Sequence, residues 1–349
     1  MHHAAVGHLL SQMDPSEPAQ QRGTAARVRK IAIFAAAVVV TYALIVLDAR
    51  AASPIPQVPV ASGEKGYVLH EIRDRLYWLS DGAYNTMFVV SSDGVIAVDP
   101  LPTLGGNYLK AIAEVTDKPV TRVIYSHEHT DHIGAAYLFP KAATIIAQKE
   151  TAQLLATRND PRRPLPTVTF DDSYTLTVGD QTLVLDYKGV NHEAGNIFIY
   201  APKQRVLMLV DVVYPGYMPY PNLGIAVDVP GYLKAHRDAL SYDFDTLVAG
   251  HVDRLGTRKD VELSLAFATD LQRTAGQLLA ATPFPAYMSE HAAENKWFAH
   301  DAYEKELVDR CYAALLPKWQ TQLGGAQMAL KSQCWSMIVA LVVQMPPGD

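Results

Sequence analysis

The stretch Ser126-His127-Glu128-His129-Thr130-Asp131-His132-Ile133-Gly134-Ala135 places three histidines and two carboxylates in the six residues from His127 to His132. Imidazole and carboxylate suit zinc and iron, and a metal needs several such lone pairs converging at roughly 2 Å. In a loop, His127 and His129 are two apart and can point the same way, while Asp131 and the adjacent His132 can point toward a second centre. Glu128 and Thr130 then read as spacers turned away from the metals. Four ligands do not fill two sites, so the remainder must come from elsewhere in the chain.

Working outward, residues 120–125 read as a buried strand that runs straight into the cluster, which therefore sits at a strand end. Upstream, residues 67–69, 76–79, 87–91 and 95–98 read as strands, with turn signals at Ser80-Asp81-Gly82 and Ser92-Asp93-Gly94, and residues 104–115 as an amphipathic helix. Downstream, strand 182–187 leads to His192, strand 196–200 follows, strand 205–210 ends at Asp211, and strand 245–248 ends at Gly250-His251. Helical stretches at 145–155 and 231–240 lie between them. Strands interleaved with helices predict an α/β layered domain over residues 66–260, with its ligands gathered at strand ends. No other histidine after residue 60 occupies an equivalent place: His70 precedes the cluster, His236 is mid-helix, and His291 and His300 lie in the helical C-terminal part.

Beyond residue 260 the strands stop. Residues 261–280 read as a helix, residues 303–316 set Tyr303, Leu307, Cys311 and Leu315 on one helical face, and residues 327–344 form a third helix before Pro346-Pro347. The apolar run 337–343 is too short to cross a bilayer. Residues 261–349 are thus expected to be a helical extension, packed on the core by default or else used to form a homodimer. The chain has two cysteines, Cys311 and Cys334, without the C-x-x-C spacing of a metal or redox site; a disulfide and two reduced buried thiols are both open.

The first fifty residues differ from the rest. Arg27-Val28-Arg29-Lys30, an uncharged run over 31–47 and Ala49-Arg50-Ala51 make up the pattern of a secretory signal over residues 1–51, followed by a linker over 52–65. An uncleaved membrane anchor and a buried core helix are the alternatives. The expected location is periplasmic or extracellular, or membrane-attached through this apolar segment if it is not cleaved. The formal charge is −6; removing residues 1–51 takes away five of 30 basic and three of 36 acidic residues, leaving −8. That sign argues against nucleic acid as a partner and leaves a small-molecule substrate.

The run His127-x-His129-x-Asp131-His132, followed by His192, Asp211 and His251 at strand ends, resembles the metallo-β-lactamase superfamily over residues 66–258. The resemblance implies an αββα sandwich, with Asp99 as the structural aspartate before the cluster. It also implies one metal ion held by His127, His129 and His192, a second held by Asp131, His132 and His251, and Asp211 bridging them. Two Zn2+ ions are expected, with Fe or Mn as alternatives. The implied activity is that of a hydrolase: a hydroxide bridging the ions attacks an ester, lactone, thioester or amide carbonyl, and Asp131 orients it. Two dications, two aspartates and one hydroxide leave the centre near +1, which favours an anionic or polarised substrate group.

Subclass B1 and B2 β-lactamases resemble this pattern but carry cysteine at the position of Asp211, and B3 enzymes lack the bridging aspartate. Asp211 is instead similar to the arrangement in lactonases, thioesterases, organophosphorus hydrolases and phosphodiesterases, although the glycine often found before it is missing here. A β-lactamase or phosphodiesterase activity, and a mononuclear iron sulfur dioxygenase using His127, His192 and Asp211, are the competing readings. Asn196, four residues after His192, is expected as a catalytic donor to a developing oxyanion. The aromatics of Tyr214-Pro215-Gly216-Tyr217-Met218-Pro219-Tyr220-Pro221 are expected to wall the cleft, and the loop Gly82-Ala83-Tyr84-Asn85 to overhang it.

Overall fold

The computed structural model describes residues 65–345; the expected signal or anchor (1–51) and all but the last residue of the linker lie outside the described residues. Two sheets face each other. The first runs in the order β1 (Val68–Arg73), β2 (Leu76–Ser80), β3 (Asn85–Ser91), β4 (Gly94–Val98), β5 (Val120–Ile124), β6 (Thr144–Gln148) and β7 (Val168–Phe170). Its first four strands are antiparallel, and β4 to β7 are parallel. The second sheet runs β13 (Gly256–Thr257), β12 (Thr246–Val248), β11 (Val206–Met208), β10 (Phe198–Ala201), β9 (Gln181–Asp186), β8 (Ser173–Val178).

The helices are α1 (Asn107–Val115), α2 (Thr130–Ile133), α3 (Lys149–Arg158), α4 (Pro221–Ile225), α5 (Val229–Ala239), α6 (Arg258–Ala281), α7 (Phe284–Glu290), α8 (Lys296–Trp319) and α9 (Ala326–Val343). Strand side chains alternate between faces, and where both faces are covered, as in β2, β3 and β4, the strand is buried throughout. Ile96, Val98 and Ile124 turn inward and meet Leu183, Ile199 and Met208 of the facing sheet. Val95, Ala97 and Val123 turn outward onto Tyr108 and Ile112 of α1. The outer face of the second sheet, with Phe198, Leu207 and Leu247, is covered by α5 and α6 and then by Leu307 and Trp319 of α8 and Leu330 and Met337 of α9, in one continuous cluster. The layers are therefore α, β, β, α, as expected.

The structure corrects two details. The stretch 145–155 is not one helix: the β-branched run Thr144-Ile145-Ile146 belongs to β6, and Gln148, whose side chain accepts the Glu150 amide, starts α3. The C-terminal helical extension packs on the core, but its first helix begins before residue 260. Helix α6 starts at Arg258, crosses the boundary expected at 260, and carries Val261, Phe267 and Leu271 into the same core as α5. A sheet face must be buried, and here α6, α8 and α9 bury it. Cys311 and Cys334 form a disulfide between α8 and α9, with Cα atoms 6.0 Å apart. Over its full 18 residues α9 is long and apolar enough to cross a membrane, but half of it is buried inside this fold.

Candidate metal centre

Loops from one end of both sheets converge on a single cavity. Strand β4 is followed by Asp99, in left-handed backbone (φ 39°), whose Oδ1 accepts the Ser126 amide at 2.7 Å, turning the chain after β5 toward His127 and His129. Helix α2 then carries Asp131 and His132. The second sheet supplies His192 after β9, Asp211 after β11 and His251 after β12. Two backbone bonds tie the sheets together at this end: Ile197 donates to Ser126 O at 3.1 Å, and Asn85 donates to Gly250 O at 2.9 Å.

His127, His129, His192 and Asp211 each offer one ligand atom, all within 4.8 Å of one another; Asp131, His132 and His251 form a second such group. Asp211 lies between them. Its Oδ2 is 3.0 Å from His132 Nε2, 3.4 Å from His192 Nε2 and 3.5 Å from His127 Nε2, while its Oδ1 is 2.7 Å from His251 Nε2. Asp131 Oδ2 stands 3.8 Å from His132 Nε2 and 3.9 Å from His251 Nε2. His127 Nε2 is buried without a hydrogen-bond partner, and His132 Nε2 and Asp211 Oδ1, also buried, make no hydrogen bond of good geometry despite these short separations. Buried polar atoms are rarely left so. A nitrogen-rich set with carboxylate oxygens and unspent lone pairs fits divalent metal.

Three of the ring nitrogens facing away from this focus are engaged. Ser126 Oγ lies 3.0 Å from His127 Nδ1, Glu193 Oε2 3.3 Å from His129 Nε2 and Gly224 O 2.7 Å from His192 Nδ1, whereas His132 Nδ1 has Asp99 Oδ2 at 3.5 Å without a hydrogen bond between them. Such partners set the tautomer and aim the free nitrogen inward. Burial pushes His127 well below the usual histidine range, and the neighbouring His132, His129 and His192 add to it, so it stays in the neutral ligand form. Burial opposes protonation of His132, yet Asp211 and Asp99 hold it well above that range. Burial likewise opposes ionisation of Asp211, yet His132, His192 and His251 hold it well below the usual carboxylate range.

The structure thus brings together all seven residues named from the sequence as ligands. It does not place Asn196 as expected. Asn196 is fully buried, and its amide donates to Asn191 Oδ1 at 3.0 Å and to Val210 O at 3.2 Å, so no donor is left for a substrate oxygen. Asn191 Oδ1 also accepts the His192 amide at 2.6 Å, so the Asn191–Asn196 pair braces the loop that carries the ligand. The cavity, about 340 Å³, is walled by Tyr84 and Tyr214, whose rings lie 4.6 and 5.7 Å from the His251 ring, with Tyr220 and Ile225 also lining it. Glu128 does turn away from the metals, but it is buried, and its carboxylate receives Arg163 at 2.7 Å and Arg158 at 3.1 Å. Sequence reading missed Glu193, although a carboxylate beside a candidate ligand is a usable signal, and it missed the Gly224 carbonyl, which leaves none. A larger open groove of about 700 Å³ beside Arg205 lacks convergent ligands, and Arg205 is engaged there by Asp243 and Asp245.

A family model described as the metallo-beta-lactamase superfamily matches residues 79–251. The chain is 31% identical over 209 residues to the alpha subunit of 2,4-dinitroanisole O-demethylase from Nocardioides sp. (strain JS1661), covering 58% of this chain and 62% of that protein. It is 30% identical over 129 residues to a type 2 metallo-beta-lactamase from Elizabethkingia meningoseptica, covering 36% of this chain and 51% of that one. The chain thus spans less than two thirds of the length of either relative. Among solved structures, a metallo-beta-lactamase from Pontibacter korlensis superposes with a TM-score of 0.52 at 20% identity, over 58% of this chain and 99% of that one. The metallo-beta-lactamase IND-7 gives 0.51 at 21%, over 59% and 100%; at these identities the likeness is one of fold.

Proposed function

This chain belongs to the metallo-beta-lactamase superfamily through residues 79–251, and on that premise we propose that it is a dinuclear zinc-dependent hydrolase of an ester, lactone, thioester or amide bond. The observation that carries this reading is the convergence of seven ligand residues in two groups around Asp211, with buried ligand atoms left unpartnered. His127, His129 and His192 would hold one ion and Asp131, His132 and His251 the other, with Asp211 shared. When bound, such ions supply Lewis acidity and bring the pKa of water toward about 7.

The chain's own residues do the rest. Asp131, 43% exposed and lining the cavity, would accept a proton from an attacking water and orient it. Tyr84 and Tyr214 flank the His251 ring and shield that side of the centre from bulk solvent. Burial pushes the Tyr214 hydroxyl well above its usual range, with Asp211 adding to it, so it remains a neutral donor in the cavity wall. The Cys311–Cys334 disulfide and the N-terminal basic-apolar-small pattern both support an exported protein.

Metal analysis and a hydrolysis screen of the zinc-loaded protein test the reading. The panel holds lactones, thioesters, amides, β-lactams and phosphodiesters, together with 2,4-dinitroanisole because of the relative's named activity. Two zinc ions per chain with turnover of one carbonyl class are expected, and Asp211→Ala loses most turnover and at least one ion. One iron per chain with oxygen uptake on a persulfide would overturn it.

A further inference from the structure

Helix α4 is not an ordinary helix. Asn222, Leu223, Gly224 and Ile225 all have positive φ (61°, 56°, 66° and 54°), a left-handed turn that a β-branched isoleucine and a leucine adopt only when their surroundings impose it. One side of this turn faces the candidate centre: Gly224 O lies 2.7 Å from His192 Nδ1, while His192 Nε2 faces Asp211 at 3.4 Å. The other side is gripped by α9. Gln333 Oε1 accepts the Leu223 amide at 2.5 Å, and Gln333 Nε2 donates to Pro219 O at 2.7 Å and to Tyr220 O at 3.2 Å. Ser332 Oγ accepts the Asn222 amide at 3.1 Å.

Gln333 is fully buried in a helix that is otherwise largely apolar. An amide is costly to bury unless its hydrogen bonds are met, and an apolar side chain of similar volume would pack there without that cost. Every polar contact of Gln333 goes to the backbone of this one segment.

We propose that Gln333, far down the chain in the C-terminal helices, is a positioning residue for the metal centre: by holding the left-handed turn it aims the Gly224 carbonyl at His192 and so sets that ring's tautomer and direction. The inference rests on the reading of His192 as a metal ligand. Loss of an outer hydrogen-bond partner of a metal-bound histidine lowers metal affinity about 10- to 100-fold.

The experiment titrates the metal-free full chain with zinc against a chromophoric chelator and records the absorption spectrum of the cobalt-loaded protein. Gln333→Met, which keeps the volume and removes the hydrogen bonds, is expected to weaken one ion about 10-fold and to alter the cobalt spectrum. Cys311→Ser/Cys334→Ser serves as the stability control: it lowers Tm without touching the turn and is expected to leave zinc affinity unchanged. If zinc affinity falls in step with Tm in both variants, Gln333 is merely structural and the proposal fails. It fails equally if folded Gln333→Met binds both ions as the parent does. Should Gln333→Met not fold, Ser332→Ala, which releases only Asn222, decides the matter by a smaller loss in the same direction or by none. His192→Ala separates the two readings: if it keeps both ions at parental affinity, the ligand assignment falls, whereas loss of an ion there with no change in the Gln333 and Ser332 variants sinks only the role given to Gln333.

Discussion

Gly250 precedes His251 and has no side chain, and the structure requires that. A Cβ built there would lie 2.7 Å from His132 Cε1, 2.8 Å from Val210 Cβ and 3.1 Å from Val210 Cγ1. Carbon atoms pack at about 3.5–4.0 Å, so Gly250→Ala overlaps its neighbours by roughly 1 Å. Neither neighbour has free space, since His132 and Val210 are both fully buried. The overpacking should cost about 1–3 kcal/mol of stability. Its larger effect is on His132, which must turn away from Asp211, now 3.0 Å distant. Displacement of a working group by about 1 Å costs on the order of 100-fold in turnover, and disturbing a ligand's setting costs about 10- to 100-fold in metal affinity. The assay is a zinc titration of the metal-free variant against a chromophoric chelator, with circular dichroism to verify folding. One tight ion, held by His127, His129 and His192, should remain while the other weakens. A folded Gly250→Ala protein that binds two zinc ions with unchanged affinity would refute the packing argument and the placement of His132 in the second group.

Three further outcomes follow from particular contacts. Arg163→Met leaves the Glu128 carboxylate buried with only the exposed Arg158 beside it, and urea unfolding should show a loss of about 3 kcal/mol, largely recovered when Glu128→Gln is added; no loss in the single variant would mean that water already reaches the pair. Burial lowers His236 to about 4 from 6.5, so below pH 6.5 the unfolded chain gains a proton that the fold refuses, and stability falls toward pH 4 by about 1.4 kcal/mol per unit. In metal-free protein unfolded at pH 7, 6 and 5, His236→Gln should flatten that decline, and an unchanged slope would contradict a neutral buried imidazole. The Cys311–Cys334 link closes a loop of 23-residue separation, and Cys311→Ser/Cys334→Ser should cost about 3 kcal/mol by denaturant titration; a loss below about 1 kcal/mol would show that packing of α8 on α9 already restrains the unfolded chain.

Legibility in the sequence followed how local each signal was. The strands that carry ligands were readable because β-branched runs such as Val120–Ile124 alternate and then stop at a histidine or aspartate. Strand β8 was missed although Gly179 and Asp180 form a two-residue hairpin turn before β9, because the polar, exposed face of β8 masks its alternation. Strand β6 hides in a helical reading because residues 145–155 run from strand into helix with no Gly or Pro between them.

By itself the sequence determined the fold class and the residue types that meet at the cavity, since four of them fall within six residues and the others sit at strand ends. Only the tertiary structure decided which ring nitrogen each histidine turns inward, that Asn196 braces a loop instead of facing substrate, and that the C-terminal helices complete the outer layer of the second sheet. The physical reason is that these outcomes depend on single hydrogen bonds and contacts between segments remote in the chain. Gln333 is 110 residues from the amide it accepts, and no local periodicity records such a partner.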